Sequence, residues 1–194
     1  GLYTLVMFLY LAYKTLNNFV FSVNHLMSLI TDVAAILLFG LTPVMLLLSV
    51  LITGLSYGLY KGIMDNFLVE VVGMGEMGRG VTEFFRELPG ILLVFILAAF
   101  YMLSAETMYK AGALIMLVGM AMHAVLPPSK VLITLAICVY SLGEHIQLGM
   151  KSTLGLQYAK PGRGGVALGL MSSTNQIGTL VATILLNGVG SLQL

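Results

Sequence analysis

The sequence predicts an all-α fold, a polytopic integral membrane bundle of five or six spanning helices, and three observations carry that prediction. Hydrophobic residues make up 59% of the 194 and charged residues only 9%, whereas a soluble domain is about 25% charged. The apolar segments are long and continuous, unlike the ~10-residue alternating segments of a membrane barrel. The run from Leu47 to Gly73 is by itself long enough to cross a bilayer, since ~20 helical residues span the ~30 Å hydrocarbon core. Residues 1–33 read as an N-terminal apolar or amphipathic helix with a linker. Residues 34–194 read as the bundle, with spans at about 43–71, 89–103, 111–126, 131–156 and 166–189.

Segment A, Leu2 to Val23, is interrupted by Lys14, Asn17 and Asn18, which share a stripe with His25 at helical spacing. It either spans the membrane or lies on it with one polar face. Asp32 is placed to cap the next helix. Residues 34–42 form a lead-in, and Pro43 opens segment B. Within B, Gly54, Gly58 and Gly62 recur every four residues, giving a strip along which a second helix can approach closely. Lys61 and Asp65, also four apart, lie within ion-pair reach, with Asn66 beside them. Charges facing lipid cost at least ~2.5–3.5 kcal/mol each, so both should point into the bundle. They are either a structural pair near the interface or the lining of a solute or proton path.

Residues 73–90, GMGEMGRGVTEFFRELPG, are the most polar stretch and read as a glycine-broken loop, with a helical turn possible at 82–88. The stretch is a solvated surface or an outer gate. Segment C begins at Pro89, and the loop SAETMYK carries Glu106 and Lys110. Segment D contains His123 and stops at Pro127-Pro128. Segment E has two polar faces. Tyr140, Glu144, Gln147 and Lys151 share one, and Ser141, His145, Gly149 and Ser152 share the other. Both cannot meet lipid, so this helix lines an aqueous cavity or joins a dense interhelical network. The loop YAKPGRGG, with Arg163, leads into segment F, where Ser172, Asn175, Gln176 and Thr179 form a stripe able to bond across helices or to a solute.

The chain begins at Gly1 and stops soon after its last apolar run, which reads as a fragment or a processed chain, and no cleavable signal peptide is recognisable. The single cysteine, Cys138, excludes an internal disulfide and a cysteine metal site. With no tryptophan, the interfacial belt falls to nine tyrosines and nine phenylalanines. No basic block is present to bind nucleic acid. Glu144 and His145 are adjacent rather than four apart, no nucleophile elbow occurs, and GMGEMGRG lacks a strand–turn–helix setting. No enzyme activity, metal or cofactor is therefore expected. Lysine and arginine are nearly balanced between the two sets of loops, and Lys151 tips the C–D and E–F loops towards the cytoplasm.

Three places from Leu47 to Leu186 resemble the major facilitator superfamily (MFS) of secondary transporters. A glycine-rich helix passes into a polar outer loop. SAETMYKAG falls where that family keeps a charged loop motif, with Glu106 and Lys110 as the matching charges. YAKPGRGGVALGLMSSTNQIGT looks like its basic loop opening into a fifth helix. Segment F has no Gly-Pro pair of the kind expected of antiporters there. The resemblance implies about one six-helix half of a transporter, either a first half with an extra leader or the sixth to eleventh helices of a longer chain, completed by a second half-bundle in the same chain, a second copy or another subunit.

The expected function is transport of a small polar or amphipathic solute across a bilayer, with proton coupling possible through Asp65, Glu144 or His145. The solute path would be lined by Lys61, Asp65, Asn66, Glu144, His145, Gln147, Lys151, Asn175 and Gln176, and gated by Glu106, Lys110 and Arg163. The alternative is a non-transporting membrane subunit whose polar faces bind partner helices or lipid. The expected location is a bacterial inner (plasma) membrane, crossed several times.

Overall fold

The computed structural model describes residues 43–191, with side chains to 187. Segment A and the lead-in at 34–42 lie outside the described residues. Five helices succeed one another. α1 is Pro43–Asn66 and continues as a π-helical turn over Phe67–Val71; α2 is Glu76–Ala99; α3 is Ala105–Val125; α4 is Lys130–Gln157; α5 is Gly164–Ser191. No strand occurs among the described residues. α1 with its extension, α3 and α4 are each long and apolar enough to cross a membrane.

Sequence explains the boundaries. Pro43 sits in the first turn of α1, where its missing N–H leaves no bond unmade. The Val72 N–H closes on the Phe67 carbonyl at 3.1 Å and the Met74 N–H on that of Leu68 at 2.8 Å. Gly73 then turns the chain at φ +67°, a conformation that costs other residues a Cβ clash. Ser104 caps α3 and Ser129 caps α4, each accepting a backbone N–H three residues on.

The largest departure from the sequence expectation is α2. Residues 76–88, read as loop, form its first half, and Pro89 lies inside the helix rather than at its start. Arg86 is held by Glu83 at 2.5 Å and by Glu87, so the charges that suggested solvent pair along the helix itself. Pro89 cannot donate to the Phe85 carbonyl. At the neighbouring carbonyl, that of Arg86, the Ser141 hydroxyl of α4 donates a hydrogen bond of 2.5 Å. The loop expected at Ser104–Lys110 shrinks to residues 100–104, because Ser104 caps α3 and Glu106 pairs with Lys110 one turn on, at 2.9 Å.

The helices pack mainly in two pairs, α1 along α5 and α3 along α4, with α2 against α4 and α4 also touching α5. Glycines set the distance in both pairs. A Cβ at Gly54 would run into the Asn175 backbone, and one at Gly58 would stand 2.7 Å from the Ala182 Cβ and 2.8 Å from the Thr179 carbonyl oxygen. The Gly54–Gly58–Gly62 strip thus receives α5. In the second pair, a Cβ on Gly119 would meet the Tyr140 backbone N at 2.5 Å, and one on Gly143 the Met116 backbone N at 2.6 Å.

Two apolar clusters fill the interior. One joins Tyr60, Met64, Phe67 and Leu68 of α1 to Met116 and Met120 of α3 and to Ile133, Ile137 and Tyr140 of α4. The other joins Leu46 and Val50 of α1 to Tyr109, Leu154 and Met171. Along α1 the residues between the clusters are 51–59, and along α4 they are 141–153.

Replacing Gly119 by Val should force α3 from α4 and destabilise the chain by ~1–3 kcal/mol. Gly169, with nothing within 4 Å of a new Cβ, should accept Ala with no loss or a gain of up to ~1 kcal/mol. Thermal unfolding of the detergent-purified chain, followed by circular dichroism, separates the two.

Candidate functional site

Between the two apolar clusters lies a cavity of about 220 Å³, lined by Thr53 and Tyr57 of α1, Tyr109 and Met116 of α3, Glu144, Gln147, Leu148 and Lys151 of α4, and Asn175 and Gln176 of α5. Helical periodicity explains its walls. Thr53 and Tyr57 are one turn apart on α1, and Glu144, Gln147 and Lys151 repeat at three and four residues on α4. The first polar face of α4 therefore opens on this cavity. The second face meets α2: Ser141 bonds the Arg86 carbonyl, His145 stands 3.6 Å from Glu87, and Gly149 lies beside Leu93. The two polar faces of this helix thus have separate destinations, a cavity and a neighbouring helix.

The cavity's polar groups are partly tied down. The Thr53 hydroxyl donates to the Ser49 carbonyl at 2.8 Å and lies 3.5 Å from the Tyr109 hydroxyl. The Lys151 ammonium donates to Asn175 Oδ1 at 3.3 Å, and Asn175 Nδ2 donates to the Val50 carbonyl at 3.4 Å. Thr179, one turn along α5, donates to the Gly54 carbonyl at 3.1 Å. The stripe on α5 therefore both bonds α1 and supplies the cavity wall with Asn175 and Gln176. Two groups stand out. Gln147 is only 4% exposed and its Oε1 accepts no hydrogen bond among the described residues, a state that costs a buried acceptor ~1–3 kcal/mol. Glu144, half-buried, is in none of the ion pairs among the described residues.

A second cavity, of about 230 Å³, lies further along the same face of α1, lined among others by Tyr60, Lys61, Met64 and Asp65 with Arg79, Thr82, Glu83 and Arg86 of α2. Tyr60 lines this cavity and not the first. Its ring stacks on Tyr140 with centroids 3.9 Å apart, and His123 meets it edge-on at 5.7 Å.

The residues singled out from sequence divide accordingly. Glu144, Gln147, Lys151, Asn175 and Gln176 converge on the first cavity, and Lys61 and Asp65 on the second. Lys61 and Asp65 form no ion pair with each other among the described residues. Helical spacing allowed the contact, but α2 brings competing charges: Lys61 adds to the field that lowers the Glu83 carboxyl. Asn66 is exposed and His145 faces α2, so neither lines a cavity. Glu106 and Lys110 pair within α3, while Arg163 is exposed in the turn before α5 and joins no ion pair among the described residues. Sequence reasoning missed Thr53, Tyr57 and Tyr109. The four-residue step from Thr53 to Tyr57, in register with the glycine strip, was the signal that could have found the first two.

Glu83 lies outside the three apolar spans, and its carboxyl is held below its ordinary 4.5, first by the hydrogen bond from Arg86 and then by the charges of Arg86 and Lys61. A carboxyl lowered on folding stabilises the fold above its unfolded pKa, and that contribution disappears as pH falls through the folded value. The unfolding midpoint should therefore drop as pH is taken below 4.5, and Glu83→Gln should flatten that part of the profile by the same small amount that it lowers the neutral-pH midpoint, since an exposed pair contributes little.

No family model matches the chain, and neither the curated proteins nor the solved structures contain a match.

Proposed function

We propose that this chain is part of a secondary transporter, of the kind its sequence resembles in the major facilitator superfamily, and that the 220 Å³ cavity holds the solute. One observation carries the reading: a cavity with an acid, a base and three carboxamides sits between two apolar clusters, near the middle of helices apolar enough to cross a bilayer. Glu144 and Lys151 belong to α4, whose midpoint is close to residue 144, and Thr53 and Tyr57 lie near the middle of α1 with its extension. Ionisable side chains at such depth are costly and mark solute or ion paths by default, and transporters of this type place their sites at the bilayer midplane. The apolar clusters act as seals above and below.

The second cavity, with Lys61, Asp65, Arg79 and Arg86, serves as a vestibule on one side of the Tyr60–Tyr140 stack. Glu144 takes the coupling role, because a half-buried carboxylate without an ion-pair partner is charged when the cavity is wet and is neutralised by a proton when it is closed. Exposed apolar side chains on α2 (Ile91, Val94, Phe95) and α5 (Ile177, Leu180, Ile184) face lipid or the second half-bundle that the resemblance implies. Those same faces also suit a non-transporting subunit, which would bind no solute.

Proteoliposomes carrying the chain in its native assembly, with the half-bundle that completes it, should accumulate a bound solute when an inward proton gradient is imposed. Glu144→Gln should abolish the response to the gradient. Failure to move any solute that the chain binds, measured against protein-free vesicles, would overturn the reading.

A further inference from the structure

The cavity's charges suggest what it accepts. Glu144 and Lys151 are seven residues apart on one face of α4, which at ~1.5 Å per residue puts their backbones about 10 Å apart along the axis. Each lacks an ion-pair partner of its own among the described residues. Glu144 lies in the longer-range field of Arg86, His145 and Lys61 and of the like charge of Glu87, and Arg86 is already held by Glu83 and Glu87. The cavity thus holds one negative and one positive group at opposite ends of a single wall.

Between them in sequence, and nearer the acid, Gln147 lines the same wall on a side chain 4% exposed, its carbonyl oxygen accepting no hydrogen bond among the described residues. Glu144 and Gln147 are both acceptors, so that end calls for a donor-rich cationic group. Among the described residues Lys151 donates to the neutral Asn175 Oδ1, at a long 3.3 Å, which leaves it N–H groups for an anion, with the Gln176 carboxamide lining the same cavity. A singly charged solute would leave one buried charge uncompensated, a cost that a dipolar solute avoids at both ends.

We propose that the cavity binds a zwitterionic aminocarboxylate, its ammonium between Glu144 and the Gln147 oxygen and its carboxylate against Lys151 and Gln176. This rests on the transporter reading for its purpose and on the cavity alone for its chemistry. The volume of about 220 Å³, some seven waters at ~30 Å³ each, suits a solute of amino-acid size.

Calorimetric titration of the detergent-purified chain with ω-aminocarboxylates, from glycine through γ-aminobutyrate to ε-aminocaproate, tests this. Each would be compared with the n-alkylamine and n-alkylcarboxylate of the same length. One length should bind at least about tenfold more tightly than either singly charged analogue. Glu144→Gln should reduce the zwitterion to the affinity of the carboxylate, and Lys151→Gln to that of the amine. Gln147→Leu guards against misfolding as the cause: it removes an unsatisfied buried acceptor, so it should keep or raise the unfolding midpoint while weakening the zwitterion about tenfold against the carboxylate.

Equal binding of all three classes, no binding across the series, or an unchanged ratio in Gln147→Leu would each overturn the proposal. Zwitterion binding without transport would leave the proposal standing and remove the transporter reading. Transport of another solute, with no zwitterion bound, would do the reverse.

Discussion

Close backbone contact at the glycine positions is the constraint on which the rest of this structure depends. Apolar helices in an apolar surrounding gain little from hiding one greasy face against another, so they associate through van der Waals fit and a few interhelical hydrogen bonds. Gly54, Gly58 and Gly178 bring α1 and α5 so close that Thr179 reaches the Gly54 carbonyl and Asn175 reaches that of Val50. Gly112, Gly119 and Gly143 do the same for α3 and α4. Where the pairs close tightly, only small and apolar groups fit. The larger polar side chains Glu144, Gln147, Lys151, Asn175 and Gln176 line the cavity that α1, α3, α4 and α5 share.

Electrostatics divides along the same lines. The α2–α4 interface carries its charges in short contacts, Arg86 with two glutamates and His145 near Glu87, and these hold one helix to another. The cavity charges Glu144 and Lys151 have no such closure. A charge satisfied within the protein contributes to architecture, and one left open towards a void is available to something that enters it. Adjacent titratable residues on the same helix, Glu144 and His145, therefore fall on opposite sides of this division.

Much of the fold could be read from the sequence because membrane-type helices announce themselves by length and apolarity. α1 with its extension occupies 43–71, and α3, α4 and α5 depart from the sequence-based bounds by a few residues. α2 was misjudged because glycine and alternating charge in 73–90 carry the same signature as a loop; what decides for helix is Arg86 pairing with Glu83 at one turn and the reception of Ser141 from α4. The α4 wall of the cavity was legible from periodicity alone. Thr53, Tyr57 and Tyr109 were not, since an uncharged hydroxyl in an apolar run says little until another helix shows what it faces. Lys61 and Asp65 illustrate the opposite limit: spacing reports reach within one helix and is silent about a competing charge arriving from another.

Pro89 and Ser141 together have a mechanical consequence. A proline within a helix leaves a carbonyl one turn back without its donor, and in a solvent-poor interior that defect would ordinarily resist any bending that exposed it further. Here a hydroxyl from α4 supports the backbone at the adjacent Arg86 carbonyl. The charged half of α2 is tied to α4 at two points, by Ser141 at the Arg86 carbonyl and by the 2.9 Å contact between the Thr82 and Thr134 hydroxyls. Arg79, Glu83 and Arg86, which line the second cavity, all lie on that anchored half, so contacts from α4 fix where this wall of the cavity stands.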